Sequence, residues 1–261
     1  MTIAYLRLNV SDLRRARSFY CDALGFQDAG HETPRTVRLA LGAQEIELTE
    51  TQGRPYPSGS TAADLWFQHF AIVTTDIAAA HARLMQHQAV AITQGGPQLL
   101  PPAAGGVRAF KFRDPEGHPL ELLQFAGATP RWPAQATCLT IGIDHSAISI
   151  SGAERSIAFY ENLGLVCTAR QTNSGPEQER LDGLAGVAVE VIAMARPGTP
   201  PPHLELLCYR TPRGRARDGQ WDPQDIADTA SVLPGHAKEQ MEIRDPDGHL
   251  IRLVAGKARI S

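Results

Sequence analysis

The sequence predicts an α+β protein made of duplicated βαβββ modules arranged as two domains. Two internal repeats and one break carry this reading. IDHSAISISGAERSIAFYENLGL (143–165) repeats the plan of AYLRLNVSDLRRARSFYCDALGF (4–26), and RDPEGHPLELL (113–123) returns as RDPDGHLIRLV (244–254). Between the two copies runs a stretch, 127–136, that holds Pro130 and Pro133. The domain boundary is placed there, giving residues 1–126 two modules and residues 137–261 one full and one reduced module.

The first module opens with IAYLRLNV (3–10), which alternates with the period of a strand, and then changes to helical spacing through Leu13, Ala16, Phe19, Tyr20, Ala23 and Leu24. Ser11 or Asp12 can cap that helix and Gly25 can close it. TVRLALG and AQEIELT then supply two short strands about Gly42. After a Gly/Pro/Ser-rich loop (51–63), the second module runs from DLWFQHFAIV (64–73) through a helix beginning at Asp76 to VRAFKFRDPEGHPLELLQF (107–125). The third module starts at residue 143, with Ser151 and Glu154 spaced as a capping box. Residues 211–238 hold only a short DIADTASV segment where a fourth module needs a first strand and a helix, so the fourth is expected to be reduced.

Composition excludes several classes of function. The chain has 261 residues, of which 43% are hydrophobic and 20% charged, and its net charge of -3 offers no basic field for nucleic acid or an anionic membrane. No apolar run is long enough to cross a bilayer. Met1–Val10 alternates like a strand rather than a leader, so the cytoplasm is the expected compartment. Cys21, Cys138, Cys167 and Cys208 have no paired spacing and read as small buried hydrophobes.

FYCDALGF (19–26) and FYENLGL (159–165), each after an alternating strand, together with both RDP(E/D)GH turns, resemble the vicinal oxygen chelate superfamily of glyoxalases, bleomycin-binding proteins and extradiol dioxygenases. The resemblance implies that pairs of modules form open barrels, with metal ligands on the first and last strands of each module. Mapped onto this chain, it assigns the last-strand carboxylates to Glu47, Glu121 and Glu205 and the first-strand histidines to His69 and His145. Tyr5 stands in the histidine place of the first module and Arg252 in the carboxylate place of the fourth.

Imidazole and carboxylate together suit a hard or borderline divalent ion, whether Fe, Mn, Zn, Ni or Mg. One site is therefore expected from His69, Glu121 and Glu47, with Tyr5 beside it and with Glu47, Glu121 and Tyr5 as catalytic candidates. A second is expected from His145 and Glu205. Strand alternation places Arg7 and Asn9 on the Tyr5 face as substrate contacts, with Trp66 and Phe70 as apolar ones. His118, His249, Tyr20 and Tyr160 read as structural.

The leading expectation is a metal-dependent, glyoxalase-like lyase or isomerase acting on a small substrate with vicinal oxygens. An extradiol ring-cleavage dioxygenase and a metal-free small-molecule binding or sequestering protein are the alternatives. Exposed strand edges make a homodimer an open expectation.

Overall fold

The computed structural model describes residues 2–127, 132, 138–217, 219, 222–235 and 240–255. Most of the 127–136 break assigned to the domain boundary therefore lies outside the described residues.

The first module contains β1 (Tyr5–Val10), α1 (Leu13–Ser18), a π-helical turn (Phe19–Ala23), β2 (Gln27–Thr33), β3 (Thr36–Leu41) and β4 (Gln44–Glu50). The second contains β5 (Gln68–Thr74), α2 (Ile77–Leu84), the short strands β6 (Val90–Ala91) and β7 (Gln98–Leu99), then β8 (Arg108–Arg113) and β9 (Pro119–Gln124). In the third, β10 (Thr140–Ile150) and α3 (Ala153–Asn162) precede β11 (Val166–Ser174), α4 (Pro176–Asp182), β12 (Ala188–Ala195) and β13 (His203–Thr211). The fourth supplies β14 (Ala230–Gly235), β15 (Met241–Arg244) and β16 (Leu250–Ala255).

These strands form two mixed sheets, and the sheets do not divide where the sequence divides. The seven-stranded sheet has the order β15-β16-β14-β1-β4-β3-β2, so it joins the first module to the fourth. The nine-stranded sheet has the order β11-β12-β13-β10-β5-β9-β8-β6, with β7 also on β8, and joins the second module to the third. Within each module the first and last strands run parallel, whereas the seams between modules, β1–β14 and β5–β10, are antiparallel. Neither sheet divides at the linker.

The repeated motifs tie modules together in the other direction. Tyr20, on the first module's helical segment, donates to Asp114 Oδ2 (2.9 Å) in the turn of the second, and Tyr160 donates to Asp245 Oδ2 (3.2 Å) in the turn of the fourth. The acid two residues further on binds the start of the same helix: Glu116 accepts from Ser11 N and Oγ, and Asp247 from Ser151 N and Oγ. Ser151 is thus committed to Asp247, and Glu154 pairs with Arg170 at 2.8 Å, so these residues do not form the expected capping box. Asp12 and Asp76 do cap α1 and α2, accepting from Arg15 N and from Ala78 and Ala79 N respectively.

The main apolar core fills the space behind the strands, drawing Leu6, Leu8 and Tyr20 from the first module and Phe70, Ile72 and Leu122 from the second. Phe70 stacks on Tyr20 with centroids 6.4 Å apart, so it serves the core and not the cavity side of its strand. Among the described residues no helix is long and apolar enough to cross a membrane.

His118 bridges this scaffold: Nδ1 lies 3.0 Å from Asp114 Oδ2 and Nε2 lies 3.0 Å from the Ile226 carbonyl. Both side chains are buried, so removing the imidazole strips a buried carboxylate of one of its partners. His118→Ala is expected to destabilise the protein by on the order of 3 kcal/mol. Urea unfolding measures this, alongside a metal titration that should be unchanged.

Candidate metal centre

The β5–β10 seam builds the site. In the antiparallel register His69 faces Ala147 and Ala71 faces His145, while the parallel neighbours place Glu121 beside Ala71 and Glu205 beside Ala147. Two rows result, Glu121–Ala71–His145 and His69–Ala147–Glu205. Residues in register across strands share a face, as do residues two apart along one strand, so all four donors project to the same side. The residue at the middle of each row is alanine, which leaves space between the donors.

The donor atoms are close. His69 Nε2 lies 3.1 Å from Glu121 Oε2, His145 Nε2 lies 3.5 Å from the same oxygen, and His145 Nε2 lies 3.6 Å from Glu205 Oε2. Ligands about 2.1 Å from a common ion stand roughly 3.0–3.4 Å apart in octahedral or tetrahedral arrangements, so this spacing fits a single divalent cation. His69, Glu121 and His145 are all buried and form a cluster able to coordinate one.

Sequence reasoning expected His69 with Glu121 in one site and His145 with Glu205 in another; the structure brings His145 to His69 and Glu121, and Glu205 lines the same cavity against His145. Glu47 does not join them. It lies on β4 of the other sheet, where Oε2 accepts from Arg38 at 2.8 Å. Tyr5, beneath the Arg38 guanidinium, and Arg7, beside Glu47, are on that sheet as well. Asn9 donates to the Pro223 and Asp225 carbonyls. Trp66 donates from Nε1 to Ser60 and lines a separate depression with Arg54 and Arg215.

Other residues of the centre were not singled out from sequence. His203 precedes Glu205 by two residues on β13 and places Nε2 3.3 Å from its Oε1; the period-two pattern contained that signal. Asp144 Oδ2 lies 3.1 Å from His145 Nδ1 and orients the ring, while its other oxygen accepts from Trp132 Nε1. Neighbours on a regular strand point to opposite faces, but a register shift between Ile143 and His145 lets both reach the site. Lys111, beside Glu121 in register, is held by Asp182 at 2.6 Å, and Tyr209 and Gln178 also donate to that carboxylate.

The cavity over the donors measures about 200 Å³ and is walled by Leu123, Phe125, Val189, Val191 and Leu207. Helix α4, from the third module, covers part of it by reaching across to the second: Arg180 Nε donates to Gln98, Gln94 N donates to the Arg180 carbonyl, and Thr93 Oγ1 donates to the Leu181 carbonyl. Gly183 ends the helix at φ +64°, with the Ile92 carbonyl 2.7 Å from where a Cβ would stand.

Burial opposes charge on every group here, and the neighbours decide the outcome. Burial lowers the His69 pKa and Glu121 offsets this only in part, so that imidazole is neutral and ready to ligate. Burial also acts against the charge on His145, but Glu205, Asp144 and Glu121 together hold its pKa well above the usual value. For Glu121 burial acts upward, and hydrogen bonds from His145 and His69 with the charge of Lys111 bring it well below the carboxylate range. Asp144, likewise opposed by burial, is brought to about 2 by His145, His203 and Trp132.

Residues 2–122 match the family model of the Glyoxalase/Bleomycin resistance protein/Dioxygenase superfamily. Virulence protein STM3117 of Salmonella typhimurium is 31% identical over 127 residues, which span 47% of this chain and 83% of that protein. The chain belongs to this superfamily, the one that also goes by the name vicinal oxygen chelate. Among solved structures, glyoxalase I from Zea mays superposes with a TM-score of 0.65 at 19% identity, covering 97% of this chain and 92% of the maize chain. A putative dioxygenase from Bacillus subtilis gives 0.61 at 14% identity, covering 99% and 86%. Those two likenesses are of fold. The His/Glu cluster and the family together support a metal-associated enzymatic role in general.

Two outcomes follow. His69→Ala, Glu121→Ala and His145→Ala should each weaken divalent-metal binding by about a hundredfold or more, whereas Glu47→Ala should leave it unchanged; calorimetric titration separates them. Because the His145 proton must leave when its nitrogen ligates, metal uptake should release one proton. Affinity should then fall about tenfold per pH unit on acidification below the raised His145 pKa. Titration in buffers of different ionisation enthalpy counts that proton.

Proposed function

We propose that the protein is a divalent-metal-dependent, glyoxalase-like lyase or isomerase acting on a small substrate with vicinal oxygens. The observation that carries this reading is the convergence of two histidines and two carboxylates in one cavity, one carboxylate more than a two-histidine, one-carboxylate dioxygenase centre uses. His69, Glu121 and His145 would hold the ion, with Glu205 beside them. Bound there, it would supply Lewis acidity to a pair of substrate oxygens and stabilise negative charge developing on them.

The two carboxylates are not equivalent. Glu121 is fixed between His69 and His145 and its side chain is 7% exposed, which suits an anchor. Glu205 is 20% exposed, pairs with His145 and His203, and lines the cavity, which suits a base. In this reading Glu205 takes a proton from the carbon beside a substrate carbonyl and returns it to the neighbouring carbon, with His203 Nε2 steadying the carboxyl group between the two transfers. Leu123, Val189, Val191 and Leu207 exclude water, and α4 limits the substrate to a small molecule.

Glu205→Gln should lower turnover by about 10²–10⁴ while the remaining donors still bind metal. The test is a metal-titrated screen of dicarbonyl–thiol adducts and catechols, followed by solvent-proton exchange and by an oxygen electrode. Metal-dependent exchange without oxygen uptake supports the proposal. Stoichiometric oxygen consumption assigns the protein to ring cleavage instead, and ligand binding with neither outcome assigns it to sequestration.

A further inference from the structure

The seven-stranded sheet repeats the geometry of the metal centre at a second locus with different chemistry. There β1 and β14 form the antiparallel seam, with Tyr5 facing Val232 and Arg7 facing Ala230, while Glu47 lies beside Arg7 and Arg252 beside Val232. Aligned row against row, Ala230, Arg7, Glu47 and Arg38 stand where His145, Ala71, Glu121 and Lys111 stand in the other sheet. Tyr5, Val232, Arg252 and Glu242 stand where His69, Ala147, Glu205 and Ala193 stand. Three of the four donor places are lost, and one of the two alanines that leave room for an ion has become Arg7. A cation cannot be held among these guanidinium groups.

Of the three guanidinium groups, Arg7 is the one short of acceptors. The Arg7, Arg38 and Arg252 side chains are only 15%, 22% and 15% exposed. Arg38 donates to Glu47, has Glu45 3.5 Å away on its other side, and lies over the Tyr5 ring, which closes the two rows together. Glu242 engages Arg252 from the sheet edge at 2.6 Å. Arg7 has no carboxylate within hydrogen-bonding distance: its nearest is Glu47 at 3.9 Å, and its one hydrogen bond among the described residues runs from Nε to Thr49. Among the described residues its terminal nitrogens have no protein acceptor, and the buried Nε atoms of Arg38 and Arg252 have none. A partly buried guanidinium whose terminal donors meet no protein acceptor is open to an incoming anion, and its paired N–H groups match the two oxygens of a carboxylate or phosphate.

From this we infer that the face of the seven-stranded sheet around Arg7, Arg38 and Arg252 binds a small oxoanion-bearing ligand, a carboxylate or a phosphate. Arg7 supplies the paired donors, Arg252 adds charge from the neighbouring module, and Glu47 acts as the partner that fixes Arg38.

The test is a titration of the full chain with inorganic phosphate and, separately, acetate, read by calorimetry and by the side-chain Nε–H resonances of arginine. The expected result is saturable binding of at least one anion that moves the Arg7 and Arg252 resonances. Arg7→Gln and Arg252→Gln should each weaken it about tenfold or more, and His69→Ala should not. Phosphate alone identifies a phosphate-bearing ligand, acetate alone a carboxylate, and both a site open to either. Absence of saturable binding, binding that survives both arginine substitutions, or binding lost in His69→Ala overturns the inference. If Arg7→Gln misfolds, the resonances of the unmodified protein and the Arg252→Gln titration decide the matter.

Discussion

The antiparallel pairing of β5 with β10 is the contact on which the centre depends. The second module supplies His69 and Glu121 and the third supplies His145 and Glu205, and the hydrogen bonds across this seam set His145 at ligand spacing from His69 and Glu121. The pairing is exacting, because sliding either strand by one residue would turn its histidine to the opposite face and into the apolar core. Phe70 and Ile72 are buried in that core, so a slip would also expose them.

The modules themselves were readable because their signals are local. Alternation, an Asp at the helix start and the repeated Arg-Asp-Pro turn all act over a few residues, and the conspicuous FY and RDP(E/D)GH motifs proved to be the two sides of one clamp, Tyr20 on Asp114 and Tyr160 on Asp245. Which modules share a sheet was not readable. A period-two pattern tells which residues share a face but not which strand lies alongside, and β1, β5 and β10 look alike in this respect. Proximity in sequence therefore grouped Glu47 with His69, while the hydrogen bonds of the sheets separate them. Asp144 was hidden for a different reason: it faces the site only because the strand is irregular next to it.

The two loci share one pattern of strand pairing, and the difference between them is concentrated in side-chain size and charge at matched positions. Ala71 and Ala147 are fully buried yet small, and the room they leave is as much part of the centre as its donors. At the matched places Arg7 and Val232 occupy that room. Duplication thus supplied two frames with matched pairing, and the frame alone determines neither ion nor substrate.

The clamps connect the first module to the second and the third to the fourth, while the seams connect the second to the third and the fourth to the first. The four modules accordingly form a closed ring of alternating contacts. A half comprising only the first two modules would end in two unpaired first strands, β1 and β5, each the edge of a seam. Two copies of such a half could meet along both edges and rebuild the ring as a symmetric pair, so the single chain behaves as a dimer whose subunits have been tethered. The tether makes an association that would depend on protein concentration into an intramolecular one, and the centre assembles at any dilution at which the chain folds.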